Sequence, residues 1–341
     1  MHIDSPKPLV IHAPSIHMGG GLVLLRTMLA SAPEGIRRLL LDARSRDRIQ
    51  PPADVSVDYV RRSALSRLGA EWRLRRDSRD DEVVLCFHGL PPLFRLRGQV
   101  VVFLQNRLLV NRQPLSGYPL STRLRLVLER RFLRAFRGHA DRFVVQTPSM
   151  ASDLRQTLGD GFDLSVMAFA AAIDSAAQAL PDRYDFVYVA NDDPHKNHAL
   201  LLAAWRLLAA DGLTPSLALT LPPGSALAAS VERLRQEGMT QVTDLGSLPH
   251  DEVTRLYASS SALVFPSLTE SFGLPLIEAS NLGLPVLAPE LDYVRDVIEP
   301  VQTFDPHSAL SLVRAVKRFL GQADATVELR SARDFLAEVR R

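Results

Sequence analysis

The sequence contains one cysteine, Cys86, in 341 residues. No internal disulfide framework is possible, and a single thiol suits a reducing compartment. Lysine is nearly as scarce. Of 40 Lys+Arg only three are lysines, Lys7, Lys196 and Lys317, so each stands where arginine is the default cation. The chain opens "MHIDSPKPLVIHAP", with no basic stretch followed by an apolar run, and no secretory leader is expected. The most apolar stretch, "HALLLAAWRLLAA", is short and carries Arg206; it does not read as a membrane span. These absences point to a soluble cytoplasmic protein. The dinucleotide fingerprint G-x-G-x-x-G is missing; with no aromatic-interleaved basic motif and no DNA-reading module, nucleic acid is not an expected partner.

A hydrophobic content of 46% supports a sizeable core and one or two domains. The net charge of +2 hides an asymmetry: residues 1–165 carry 26 Lys+Arg against 16 Asp+Glu, whereas residues 166–341 carry 14 against 22. The basic half is either a surface for an anionic partner or a set of solvated arginines.

Short apolar runs alternate with helical patterns. "PLVIHAP" (8–14), "EVVLCFHG" (82–89), "QVVVFLQN" (99–106) and "RFVVQTP" (142–148) read as strands, and "RLRLVLERRFLRAFRG" (123–138) as a helix. The second half repeats the theme with "YDFVYVAN" (184–191), a helix over 197–212, and strands at 216–224 and within 241–267. Such alternation predicts two α/β halves with parallel sheets, joined near the small-residue-rich 167–184.

The stretch "LVFPSLTESFGLPLIEASNLGLPVLAP" (263–289) places Glu278 among apolar residues, where a carboxylate needs a partner. Pro275 suits the first turn of a helix and Gly283 its end. Glu270 then lies at a strand's carboxyl end, Ser271 to Gly273 at a helix N-terminus, and Glu278 about one turn inside. Ligands of open α/β sheets bind at such strand ends, and helix N-terminal amides attract oxyanions. A carboxylate there can take the two adjacent hydroxyls of a ribose, or it can cap a neighbouring loop.

In "ESFGLPLIE", with Phe272, Gly273, Pro275 and "PVLAP" in register, the sequence resembles the retaining glycosyltransferases of family 4. "MGGGLVLL", "VVQTPSM", "DDPHKNHALLLAAW" and "LGSLPHDEVTRLYASSSALVFPS" extend the likeness over most of the chain. The resemblance implies a GT-B fold: two Rossmann-like β/α/β domains whose parallel sheets face an interdomain cleft. Residues 1–170 would bind acceptor and 171–325 the nucleotide-sugar donor, with a C-terminal helix over 326–341 returning to the first domain. It also implies transfer of a sugar from a GDP- or UDP-sugar to a glycan or polyprenyl-diphosphate-linked acceptor, in bacterial polysaccharide biosynthesis, with retention of configuration and without metal or other cofactor.

Site residues carry over in the same way. Glu278 would hold the ribose hydroxyls and Glu270 a donor-sugar hydroxyl, with Ser271, Phe272, Gly273 and Leu274 beside the sugar. Lys196 would meet the diphosphate, as a compact ammonium suited to a point contact. Gly20 and Gly21 would let a loop approach the phosphates, and His88 would stand near the donor sugar. Asn191 is a departure, for relatives often carry an arginine there as a second phosphate cation. Same-fold alternatives are a nucleotide-sugar epimerase or hydrolase, or a non-catalytic nucleotide-sugar-binding protein.

The acceptor side is read from the first half. Six arginines (Arg123, Arg125, Arg130, Arg131, Arg134, Arg137) stand against Glu129 in 121–137, with Leu124, Val127, Leu128, Phe132, Ala135 and Phe136 as the helix's apolar face; residues 61–76 add six more arginines around Trp72. Such a surface fits anionic lipid on the inner face of a cytoplasmic membrane, or is a core-packed helix with solvated arginines.

Overall fold

A computed structural model describes residues 7–31, 34–111, 113–171, 183–323, 331, 332 and 338. Two open parallel sheets organise it. The first is built from β1 (Leu9–Ala13), β2 (Ile36–Asp42), β3 (Ser56–Val60), β4 (Val83–Cys86), β5 (Gln99–Phe103), β6 (Arg142–Val145) and β7 (Asp163–Val166), in the order β3-β2-β1-β4-β5-β6-β7. The second holds β8 (Tyr184–Tyr188), β9 (Leu217–Leu219), β10 (Val242–Asp244), β11 (Ser260–Val264), β12 (Val286–Pro289) and β13 (Gln302–Phe304), in the order β10-β9-β8-β11-β12-β13. All the paired strands run parallel. Central strands of such sheets are covered on both faces, which is why they read as unbroken apolar runs; Val10 and Ile11 of β1 and Phe186 and Val187 of β8 have no exposed surface.

Helices α1 (Gly19–Ser31), α2 (Ala64–Asp77), α3 (Leu120–Phe136) and α4 (Pro148–Leu158) belong to the first half. Leu24 and Leu25 of α1 join one core layer with Leu39 of β2. Ala70 and Leu74 of α2, Leu126 and Leu133 of α3 and Leu154 of α4 join the opposite layer. In the second half come α5 (His198–Ala210), α6 (Ala226–Gln236), α7 (His250–Ala258), α8 (Leu274–Asn281), α9 (Asp292–Arg295) and α10 (Ala309–Phe319), around a core that includes Trp205, Tyr257 and Leu276.

The strand order reverses direction between β1 and β4 in the first sheet and between β8 and β11 in the second. Open α/β sheets bind ligands beyond the carboxyl ends of strands at such reversals. Four segments leave those ends: the start of α1 after β1, His88 after β4, the Pro194–Lys196 turn after β8, and the 265–273 loop after β11. The expected join near 167–184 falls largely on residues outside the described ones, as does the expected C-terminal helix over 326–341.

Candidate active site

Lys196 and Glu270 come from either side of the second sheet's reversal. The Lys196 ammonium lies 2.6 Å from Glu270 Oε1, with the two side chains 16% and 12% exposed. Local chemistry fixes both. Tyr188, fully buried, donates its hydroxyl to the Lys196 carbonyl at 2.8 Å. The Leu268 amide donates to the His195 carbonyl at 2.8 Å, tying the lysine turn to the glutamate loop. Asn197 ends that turn in the left-handed region, φ 59°, which asparagine tolerates better than other non-glycine residues. Its amide donates to the carbonyls of Pro266 (3.2 Å) and Pro306 (2.9 Å). The asparagine of "HKN" is therefore a staple.

Glu278 is the fifth residue of α8 and 9% exposed. Tyr257 donates its hydroxyl to Oε2 at 3.2 Å, and His250 Nδ1 stands 3.8 Å from Oε1. Burial pushes the Glu278 carboxyl above the ordinary glutamate range, against the pull of His250. Tyr257 and His250 are site neighbours that the sequence reading did not identify. Gly273 opens α8 at φ 68°, where a side chain would be strained, and a Cβ there would also press on Leu276 Cδ1 at 3.0 Å.

Across the cleft, Gly20 and Gly21 lie in the first turn of α1 rather than in a loop. The positive φ belongs to Gly19, at 66°. Gly20 gives clearance to the opposite domain, since a Cβ there would stand 3.1 Å from Leu274 Cδ1. His88 donates Nδ1–H to the His12 carbonyl at 3.1 Å, which leaves Nε2 of the neutral ring as an acceptor. Burial lowers the pKa of both His12 and His88 to about 3. The two rings meet edge to face at 4.8 Å, and His12 Nε2 lies 3.4 Å from Glu71 Oε1.

The segment between β5 and α3 reaches over to the other domain. Arg107 donates its backbone amide to Ser271 Oγ at 3.0 Å and its guanidinium to the Glu270 carbonyl at 3.4 Å. Asn111 donates to Thr269 Oγ1 at 3.0 Å and Gln113 to the Leu268 carbonyl at 2.8 Å. The Tyr118 hydroxyl is hydrogen-bonded to His195 Nδ1 at 2.6 Å. Ser271 thus serves the domain contact. Asn191 is exposed and donates to Asp193 Oδ2 at 2.8 Å, within its own loop. Phe272 is half-buried. Arg107 is the cation that the sequence reading lacked near Glu270, but Asp153 holds it at 2.7 Å. Among the described residues, no group of three or more His, Cys, Asp or Glu is arranged to hold a metal ion, and no helix is long and apolar enough to cross a membrane.

Glycine-opened helices, a lysine and two carboxylates thus gather at paired strand reversals, where open α/β sheets bind ligands. Residues 172–333 match the family described as glycosyl transferases group 1. That match spans just under half of the chain, and the two parallel sheets have the GT-B fold. The chain is 26% identical over 225 residues to the serotype-specific mannosyltransferase WbdA of Escherichia coli, a match covering 59% of this chain and 28% of WbdA. It therefore spans less than a third of that relative. Sucrose-phosphate synthase from Thermosynechococcus elongatus superposes with a TM-score of 0.68 at 19% identity, over 92% of this chain and 90% of the other. Anabaena HepE in complex with UDP and glucose gives 0.66 at 15% identity, over 93% and 90%. These two likenesses speak to the fold.

Proposed function

We propose that this chain transfers a hexosyl group from a nucleotide diphosphate sugar to a glycan acceptor, in bacterial polysaccharide biosynthesis, retaining the donor's anomeric configuration. The observation that carries the reading is the Lys196–Glu270 pair at the second sheet's reversal, with Glu278 one turn along α8. Glu278 accepts hydrogen bonds from the ribose hydroxyls. Glu270 keeps Oε1 on Lys196 and offers Oε2 to a sugar hydroxyl. Leu274 and the Gly273 amide face the sugar, and His88 Nε2 accepts from it across the cleft. Mannose is favoured as the sugar by the likeness to WbdA.

Breaking the bond from the anomeric carbon to phosphate sends its electron pair to the leaving diphosphate. Fixed positive groups that meet this developing charge are commonly the largest contribution to such a rate. Lys196 and the amides opening α1 and α8 are those groups. The acceptor oxygen attacks the face the phosphate leaves, and its proton passes to the leaving phosphate oxygen. No side chain is needed as a nucleophile.

The test is incubation with a panel of GDP- and UDP-sugars and oligosaccharide acceptors, with the product anomer read by NMR. Acceptor-dependent product of the donor's configuration supports the reading. Donor consumed equally without acceptor favours the hydrolase or epimerase alternative, and an inverted product refutes retention.

A further inference from the structure

Helices α2 and α3 turn apolar side chains outward. On α2 the core takes Ala70 and Leu74. Leu65, Leu68 and Trp72, spaced three and four residues apart, are exposed, at 84%, 49% and 54%. At 3.6 residues per turn these form one stripe opposite the buried pair. On α3 the core takes Leu126 and Leu133. Leu120, Leu124 and Leu128, each four apart, are exposed, at 78%, 62% and 56%. The apolar face read from the sequence around Leu124 and Leu128 is therefore the outer face of this helix, and Leu126 and Leu133 are its anchors.

The two stripes belong to one surface. Both helices pack into the same core layer on the same side of the first sheet. Arg67 of α2 acts electrostatically on Glu129 of α3. Helix α2 begins just after β3 ends, on the cleft side, and Tyr118, bonded across the cleft to His195, is two residues before Leu120 at the start of α3. The surface therefore borders the cleft mouth. An exposed apolar area of this kind marks an interaction site.

Charge identifies the partner. Arg75 and Arg76 flank the α2 stripe, with the Arg76 guanidinium 5.1 Å over the Trp72 ring. Arg131 and Arg134 accompany the α3 stripe. The only acids on the two helices are Glu71, Asp77 and Glu129, and Glu71 turns inward to accept from the Leu93 amide at 2.9 Å. Amphipathic helices with arginine beside leucine and tryptophan lie in the interface of anionic bilayers. We infer that the outer face of α2 and α3 docks on an anionic phospholipid bilayer, with Leu65, Trp72, Leu120 and Leu124 entering the headgroup boundary. That the same bilayer carries the glycan acceptor to the cleft rests on the transfer reading above; docking itself does not.

Trp72 supplies the readout. The protein has two tryptophans, and Trp205 is fully buried, so vesicle-induced emission changes report Trp72. The protein is mixed with phosphatidylglycerol or phosphatidylcholine vesicles, and sedimentation and emission are measured at low and high salt. Binding to the anionic vesicles should be at least about tenfold tighter, since each basic residue near such a surface adds appreciably. It should weaken with salt, and Trp72 emission should shift to the blue. Leu124→Ser/Leu128→Ser, at exposed positions, should lose the binding and leave the melting temperature unchanged. No binding, equal binding to both vesicles, or unchanged binding by the double variant overturns the inference. So does Trp72 emission already blue-shifted without lipid in a self-associated protein, which would make the surface a contact between copies of the chain. Nucleoside diphosphate binding, measured on the same samples, tests the transfer reading separately.

Discussion

Lys196 and Glu270, 74 residues apart in the chain, form a 2.6 Å ion pair at the mouth of the second sheet. Each holds the other in place. Lys196→Ala should lower sugar-transfer turnover by about 100- to 1,000-fold, by analogy with losing one donor to transition-state charge. It should also destabilise the protein by roughly 3 kcal/mol, the low end for a broken buried pair, because both side chains keep some solvent contact. Lys196→Ala/Glu270→Gln should regain most of that stability and none of the turnover. Urea melts beside initial rates separate the two effects; turnover restored in the double variant would place the positive charge elsewhere.

Turnover should survive chelator. Asp192 and Asp193 are the carboxylates nearest Lys196 in sequence, and Asp193 is engaged by the Asn191 amide. If phosphate charge is met by Lys196 and helix amides, as proposed, EDTA should leave the rate within about twofold, whereas losing one electrostatic donor costs far more. Abolition by EDTA with recovery on adding magnesium or manganese would contradict this.

Glu278 sets a pH dependence of opposite sign for stability and for binding. Its folded pKa is raised from the ordinary 4.5, chiefly by burial. The folded state thus holds the proton more tightly than the unfolded state. The stabilisation this gives is complete below 4.5 and is lost as pH rises through the raised value. With the ribose hydroxyls on the carboxylate, as proposed, nucleotide binding should strengthen over the same interval. Glu278→Gln should flatten both profiles. Denaturant midpoints and nucleotide titrations between pH 4 and 8 supply the check; parallel profiles in wild type and variant would remove Glu278 from the account.

Tyr118→Phe removes a hydrogen bond that crosses the cleft to His195. Burial pushes the Tyr118 phenol up to about 12 and lowers the His195 pKa, so both partners are neutral at pH 7. A neutral bond is worth about 0.5–1.5 kcal/mol, so closure should weaken by roughly two- to tenfold. Small-angle scattering should show a larger radius of gyration for the variant and less compaction by nucleoside diphosphate. Identical scattering would make the pair incidental.

The sequence disclosed the strands with uninterrupted apolar runs, because parallel strands covered on both faces have no polar side to break the pattern. It concealed β2, where Arg37 and Arg38 interrupt "IRRLLLD"; their charges are met by Glu82, Asp58 and Asp77 only after folding. Helix α2 was hidden for a different reason. Its core face is Ala70 and Leu74 alone, and its larger apolar residues point outward. Helix α10 is readable from Leu312, Val313 and Val316, all fully or almost fully buried. At the site, Glu270, Glu278 and Lys196 stood out because a local motif and a rare residue type carry them. The contacts of Tyr257 with Glu278, and of Arg107 and Tyr118 with the opposite domain, are products of tertiary structure. Three consecutive glycines could not show that Gly19 takes the positive φ while Gly20 gives clearance to Leu274.

The proposed transfer requires a nucleotide seated beside α8. Calorimetric titration of GDP and UDP into wild type and Glu278→Gln tests this most directly. One of the two nucleotides should bind wild type, and the substitution should weaken it by about 10- to 100-fold, the loss of a charged hydrogen bond worth roughly 1.5–3 kcal/mol. Equal affinity in the two proteins, or no binding of either nucleotide to wild type, would contradict it.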